Sequence, residues 1–266
     1  MRALTLAHRT TRRAAAGLAA FVLFAGVARR AECQLAVDHV ELFFDPHELG
    51  RRVQSFNVTN ESDQVVEATL YLNDWDRDKM GENRFSDSGR LPQSCGRYLR
   101  VFPLSMRLPP HTQQAVRVAL EAADSLTKTC WSVVFVESST QQQVRGRAIT
   151  YVTRLGVKVY VVPPNLPKDG AVESVELGDS IARQLIVSFR NSGDVPLWPH
   201  GSIEFRRLDG SVAASIPIEE FPVLPGSLRR LTLPLPVLRP GRYVALVLID
   251  YGGADIAGGQ VQLEVP

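Results

Sequence analysis

The sequence predicts an all-β chain folded as two sandwiches behind a removable leader. Three observations carry this. Short apolar–polar alternations of period two recur through residues 34–266, punctuated by Gly, Pro, Asn and Asp turns. No stretch of that region shows a convincing amphipathic helical spacing. A stiff proline-rich link, Pro163-Pro164-Asn165-Leu166-Pro167, divides it, and composition shifts afterwards. A chain of 266 residues suffices for two β domains. Its 45% hydrophobic and 22% charged residues are a globular balance that argues against extended disorder.

The leader is residues 1–28. Arg2, Arg9, Arg12 and Arg13 precede an apolar run over 14–28 that ends in small residues, Gly26 and Ala28, suited to signal peptidase. The run is shorter than the ~18 residues of a spanning helix, and no bulky apolar pair follows Arg12-Arg13 closely, as a twin-arginine signal requires. Those four Arg face no acid within the leader, so the formal net charge of +2 becomes −2 in the mature chain. That surface does not suit a nucleic-acid partner.

Taken in order, residues 34–44 begin with Leu35 and Val37 on one face, then slip phase to Val40, Leu42 and Phe44. Such a slip marks a strand crossing from one sheet to the other near Asp38-His39. Residues 51–59 point Phe56 and Val58 inward, and Asn60-Glu61-Ser62-Asp63 turns the chain. Residues 65–75 alternate most clearly, with Val66, Ala68, Leu70 and Leu72 against Glu67, Thr69, Tyr71 and Asn73. A polar link over 76–96 leads to a strand at 98–108. After Pro109-Pro110, residues 114–120 turn Val116, Val118 and Leu120 inward. Residues 131–136 form a short apolar strand of a deep core, followed by a polar loop over 138–144.

Residues 145–163, RGRAITYVTRLGVKVYVVP, read as a long strand running into a short hinge at Gly156. Ile149, Tyr151 and Thr153 share one face, and Ala148, Thr150 and Val152 the other. Beyond the glycine, Val157, Val159 and Val161 oppose Lys158 and Tyr160. One face is expected to pack the core and the other to be offered to a partner. About seven short strands without a helix make residues 34–164 an immunoglobulin-like sandwich. Residues 168–266 read as a second, smaller one, with inward residues Leu185, Val187, Phe189, Ile203, Phe205, Leu231, Leu233, Leu235, Val261, Leu263 and Val265.

The sequence offers little for catalysis, and no enzyme, metal or cofactor is expected. The 5 His have no ligand spacing, and there is no GxSxG, no P-loop and no GxGxxG after a strand. Asp74, Asp76 and Asp78 imitate a calcium loop, but the glycine arrives late, at Gly81, and Phe85 stands where a bidentate Glu belongs. Of the 3 Cys, Cys95 and Cys130 are expected to form a disulfide in an oxidising compartment, stabilising the fold by ~4 kcal/mol. Cys33 is a free or intermolecular thiol, or is absent from the mature chain.

Two blocks resemble the PapD-like periplasmic pilus chaperones of Gram-negative bacteria. VFPLSMRLPPHTQQAVRV (101–118) is similar to their Pro, Pro-containing turn and following strand Arg. VKVYVVP (157–163) is similar to their basic, apolar strand end closing on Pro. The resemblance covers residues 34–164. It implies a periplasmic chaperone without cofactor, whose last first-domain strand completes a pilus or surface-fibre subunit lacking one strand of its own. Ile149, Tyr151 and Thr153 are then the subunit-binding side chains. Lys158 is the anchor for the subunit's terminal carboxylate, and an outer-membrane usher is a further partner. The position of the family's first-strand Arg falls on Glu41, where an acid repels a carboxylate. Arg117 matches an Arg that holds the domain interface. The second domain looks like a generic immunoglobulin-like module of bacterial surface proteins. The alternative reading is a structural or adhesive surface protein with a complete sandwich and no chaperone activity. Self-association through the edge strand or Cys33 is left open.

Overall fold

The computed structural model describes residues 35–144, 146–178 and 183–266. The leader, Cys33 and Arg145 lie outside the described residues. The first sandwich comprises β1 (Leu35–Val37), β2 (Glu41–Phe44), β3 (Val53–Asn60), β4 (Val66–Arg77), β5 (Asn83–Asp87), β6 (Leu99–Phe102), β7 (Ser105–Leu108), β8 (Gln113–Leu120), β9 (Cys130–Val144) and β10 (Arg147–Val161). One sheet runs β1-β3-β8-β6, the other β2-β10-β9-β4-β5 with β7 also on β4. The second sandwich comprises β11 (Gly170–Leu177), β12 (Gln184–Asn191), β13 (His200–Arg207), β14 (Val212–Ile218), β15 (Leu228–Pro234), β16 (Gly241–Asp250) and β17 (Ala257–Val265). Its sheets run β11-β12-β15 and β14-β13-β16-β17. The chain is all-β, with two immunoglobulin-like sandwiches.

The phase slip after Val37 is a crossing between sheets. β1 pairs antiparallel with β3, whereas β2 pairs parallel with β10. Leu35, Leu42 and Phe44 are buried, but Val40 is exposed at the corner itself. Asp38 holds that corner: its carboxylate accepts the Asn57 backbone N–H at 2.7 Å and the Asn57 side-chain amide at 2.8 Å. Burial alone raises its pKa, but the Asn57 bonds and His39 outweigh it and bring it down to about 2.

The structure corrects four expectations of strand order. The polar link over 76–96 contains β5, held on β4 with Phe85 opposite Trp75. The strand expected at 98–108 is two, β6 and β7, in different sheets, because the chain changes sheets at Pro103. The polar stretch 138–144 is strand rather than loop: it continues β9 and is paired residue for residue with β10. Gly156 is no hinge, since β10 is continuous through it and in register with Phe135. A Cβ there would come within 3.2 Å of the Phe135 ring and of Val133. The glycine therefore leaves room for an aromatic ring lying across the strand.

Within the first sandwich, Val116, Val118, Val134, Val136, Val157, Val159 and Val161 line a core that includes the Cys95–Cys130 disulfide, with Cα atoms 5.2 Å apart. The inward residues expected in the second sandwich fall into two groups. Leu185, Val187, Phe189, Ile203, Phe205 and Leu263 are buried, whereas Leu231, Leu233, Leu235, Val261 and Val265 only flank that core. A third cluster joins the sandwiches: Trp75, Trp131, Val133, Phe135 and Tyr160 of the first meet Leu224 and Trp198 of the second. Alongside it the Arg230 N–H donates to the Lys79 carbonyl at 2.7 Å.

Asp38→Ala is expected to lower stability by about 1 kcal/mol near neutral pH, the worth of a partly exposed charge-assisted bond. Because the folded pKa lies below the ordinary 3.8, at about 2, this contribution is present above 3.8 and fades as pH falls toward 2. Urea unfolding of both proteins across that range measures it. A difference that does not change with pH contradicts the assignment.

Candidate functional site

The site is built on β10. Antiparallel pairing with β9 runs the whole length from Arg147 to Val161. The opposite edge pairs with β2 only at Lys158–Val161, and no strand among the described residues is registered against it ahead of Lys158. The edge is therefore closed at its base and open along its stem.

Side-chain periodicity adds a correction. Ile149, Tyr151 and Thr153 lie on the same face as Val157, Val159 and Val161, because no phase change occurs at Gly156. One face thus serves serially, packing the protein's own core at its base and emerging uncovered further out. Val157, Val159 and Val161 are fully buried, whereas Ile149 is 39% and Tyr151 48% exposed. Thr153 is half-buried at the transition. Val152, on the other face, is 58% exposed, so the stem stands clear of the sandwich on both sides.

A polar clasp fixes the stem where it leaves the sheet. Arg154 of β10 pairs with Glu137 of β9 at 2.7 Å, and Tyr71 of β4 donates its hydroxyl to the same carboxylate at 2.6 Å. The Tyr71 hydroxyl and then Arg154 hold the Glu137 carboxyl below its ordinary value. Burial and this bond push Tyr71 up to about 12. The Arg154 guanidinium also lies 5.2 Å from the Phe135 ring centre.

At the base, Lys158 and Glu41 are directly opposite in register and form an ion pair at 3.5 Å. Glu41 also accepts a weak bond from the Tyr160 hydroxyl at 3.4 Å. The Lys158 ammonium lies 5.0 Å from the Trp75 ring centre. Burial and then Arg77 lower its pKa, and Glu41 restores only part of that. Burial and the Glu41 charge raise the Tyr160 pKa. Beside this pair, Phe43 stacks on Tyr160 at 4.9 Å and meets Trp198 edge-on at 5.5 Å. Arg117 is remote, standing exposed in β8 between Ser55 and Phe102.

The remaining sequence candidates have structural roles. Asp74 accepts the Leu91 N–H, and Asp78 accepts the Met80 and Glu82 N–H groups while pairing with Arg84. Among the described residues no group of His, Cys, Asp and Glu is placed to hold a metal. Sequence reasoning passed over Arg77 and Arg229, which come from different sandwiches and bear no motif.

No family model and no curated protein matches the sequence. Solved structures of fimbrial chaperones are similar to it. The class 5 fimbriae chaperone CfaA is 13% identical, with 87% of this chain and 99% of that chain covered and a TM-score of 0.48. The E. coli chaperone DraB is 16% identical, with 87% and 98% covered and a TM-score of 0.42. The Pseudomonas aeruginosa chaperone CupB2 is 16% identical, with 87% and 100% covered and a TM-score of 0.41.

The edge makes a prediction for amide exchange. The Lys158 and Val162 N–H groups donate to Val40 and Phe44 of the β2 segment. By strand alternation the Thr150, Val152 and Arg154 amides point to the open edge, and those of Ile149, Tyr151 and Thr153 toward β9. Hydrogen exchange by NMR is expected to show the first set faster than the second. Equal protection of both sets would mean that the edge is covered.

Proposed function

We propose that the protein is a periplasmic chaperone that captures secreted pilus or surface-fibre subunits by lending them β10 as a missing strand. The observation that carries this is the half-paired strand itself. It is long, apolar on one face and anchored in a core at one end, and at the other no strand among the described residues pairs with its second edge. Such an edge invites β-augmentation. A subunit with an open apolar groove would gain main-chain hydrogen bonds along the edge and cover Ile149 and Tyr151. Burying an apolar side chain of this size contributes about 1.5–3 kcal/mol. Thr153, half-buried at the foot of the stem, is the last side chain offered to the groove. Lys158 attracts the subunit's terminal carboxylate. The chemistry requires no nucleotide, metal or cofactor. In this reading residues 1–28 direct export and the mature protein works as domains 34–164 and 168–266, with an outer-membrane usher receiving the loaded complex.

The test is capture. The chain is co-expressed with the small secreted proteins encoded beside it, purified, and its bound partner identified. The double variant Ile149→Asp/Tyr151→Asp is expected to weaken capture at least about 100-fold, since two buried apolar contacts become desolvated charges. Its thermal unfolding should stay close to wild type, because both side chains are exposed in the free protein. Undiminished capture by this variant would defeat the proposal.

A further inference from the structure

We infer that the cavity beside Trp198 takes the proline-rich link Pro234–Pro240 of a second copy of this chain, so that molecules join head to tail through the second sandwich. This goes beyond the reading of β10 and uses neither of its edges.

The cavity lies where the second sandwich meets the end of β2. It encloses about 470 Å³, within the ~300–1,000 Å³ of ordinary ligand pockets. Its walls include Phe43, Pro196, Trp198 and Tyr251, and its rim carries Glu220 and Asp250 beside Lys168 and His200. The Trp198 ring is set edge-on to Phe43 at 5.5 Å and to Tyr160 at 5.9 Å, so the wall is in place before anything binds. Phe43 is still 47% exposed. Glu219, also exposed, adjoins Glu220, so three acids face one lysine and one histidine.

The link that joins β15 to β16 has the matching chemistry. Pro234, Pro236 and Pro240 fix φ near −65° and favour an extended, polyproline-like course, so little chain entropy is lost on binding. Both ends are fastened. The Leu235 N–H donates to the Arg183 carbonyl at 2.8 Å, and the Tyr243 hydroxyl donates to the Arg239 carbonyl at 2.9 Å. Leu235 and Leu238 pack on the second core, whereas Val237 between them is 95% exposed. The link carries Arg239 and no acid, and Arg242 follows it, opposite Glu264 in register. Aromatic-lined grooves dock polyproline segments, and carboxylates on the rim suit the Arg239 guanidinium.

Position makes the contact intermolecular. β16 starts at Gly241, next to the link, and ends at Asp250 on the cavity rim. Its ten residues hold the two about 30 Å apart, so a molecule's own link does not reach its own cavity. A patch at one end that meets a pocket at the other is a heterologous contact, and such a contact repeats from molecule to molecule.

Sedimentation equilibrium of the full chain tests this. The mass is expected to rise past that of a dimer as the concentration approaches millimolar. Val237→Asp and Glu220→Arg should each weaken association about tenfold or more, with thermal unfolding close to wild type because both side chains are exposed. Mixed together, the two variants should form a one-to-one pair that grows no further, since one keeps its cavity and the other its link. Misfolding does not mimic that rescue. The peptide N-acetyl-Pro-Leu-Pro-Val-Leu-Arg-Pro-amide should shift the Trp198 indole NMR signal in wild type and in Val237→Asp, and about tenfold more weakly in Glu220→Arg. Ile149→Asp/Tyr151→Asp should leave association unchanged, so failure of the strand reading and failure of this one are told apart. A chain that stays monomeric overturns the inference, as does association that Val237→Asp leaves intact or that Ile149→Asp/Tyr151→Asp removes. Peptide binding by a chain that stays monomeric would assign the cavity to a different proline-rich partner and overturn the second-copy assignment.

Discussion

Everything turns on the short parallel pairing of β2 with the last four residues of β10, Lys158–Val161. Had β2 been longer in the other direction, the sheet would end in an ordinary covered strand. Instead the chain leaves for the other sheet at Asp38, and the stem ahead of Lys158 keeps an open edge. An open apolar edge is an aggregation hazard unless it is short, charged or used. Arg147 and Arg154 supply charge along this one. The clasp of Arg154, Glu137 and Tyr71 ties β10 to β9 and β4 in one register.

The acid at position 41 changes meaning once its neighbours are visible. As a letter in a sequence it repels a carboxylate. In the fold it sits opposite Lys158 and offsets part of the cost of burying that ammonium. Arg77 and Arg229 reach the cleft from β4 and β15, and among the described residues neither guanidinium is in an ion pair. The field in the cleft is thus set by the sum of several charges.

What was legible in the sequence followed period and covalent chemistry. Alternation from Val66 to Leu72, the phase slip after Val37 and the pairing of Cys95 with Cys130 all carry local signals. The errors came where tertiary pairing overrode composition. Gln141–Gln142–Gln143 reads as loop, yet it is strand because β10 lies beside it. Gly156 reads as a hinge, because a sequence does not show that the Phe135 ring must cross there. The period of two puts Ile149 and Tyr151 on one face, but their exposure depends on where β2 stops, which is a property of another segment. Arg77 and Arg229 are brought near each other by packing between sandwiches, and no local pattern announces that.

That last point gives the second sandwich a part in the site, although its sequence carries no recognisable signal. Trp75 can form an aromatic platform beneath two cations only if its other surroundings are dry. Leu224 and Trp198 join the cluster that buries it. The Pro222 carbonyl receives Arg77, and the Arg230 N–H fastens to Lys79 two residues further along the same turn. Loosening this junction would wet the indole and free the Arg77 side chain without touching the β9–β10 pairing. The junction depends on particular atoms in contact, so substitutions there are felt by several partners at once, whereas the exposed outer face of the stem has few contacts to lose.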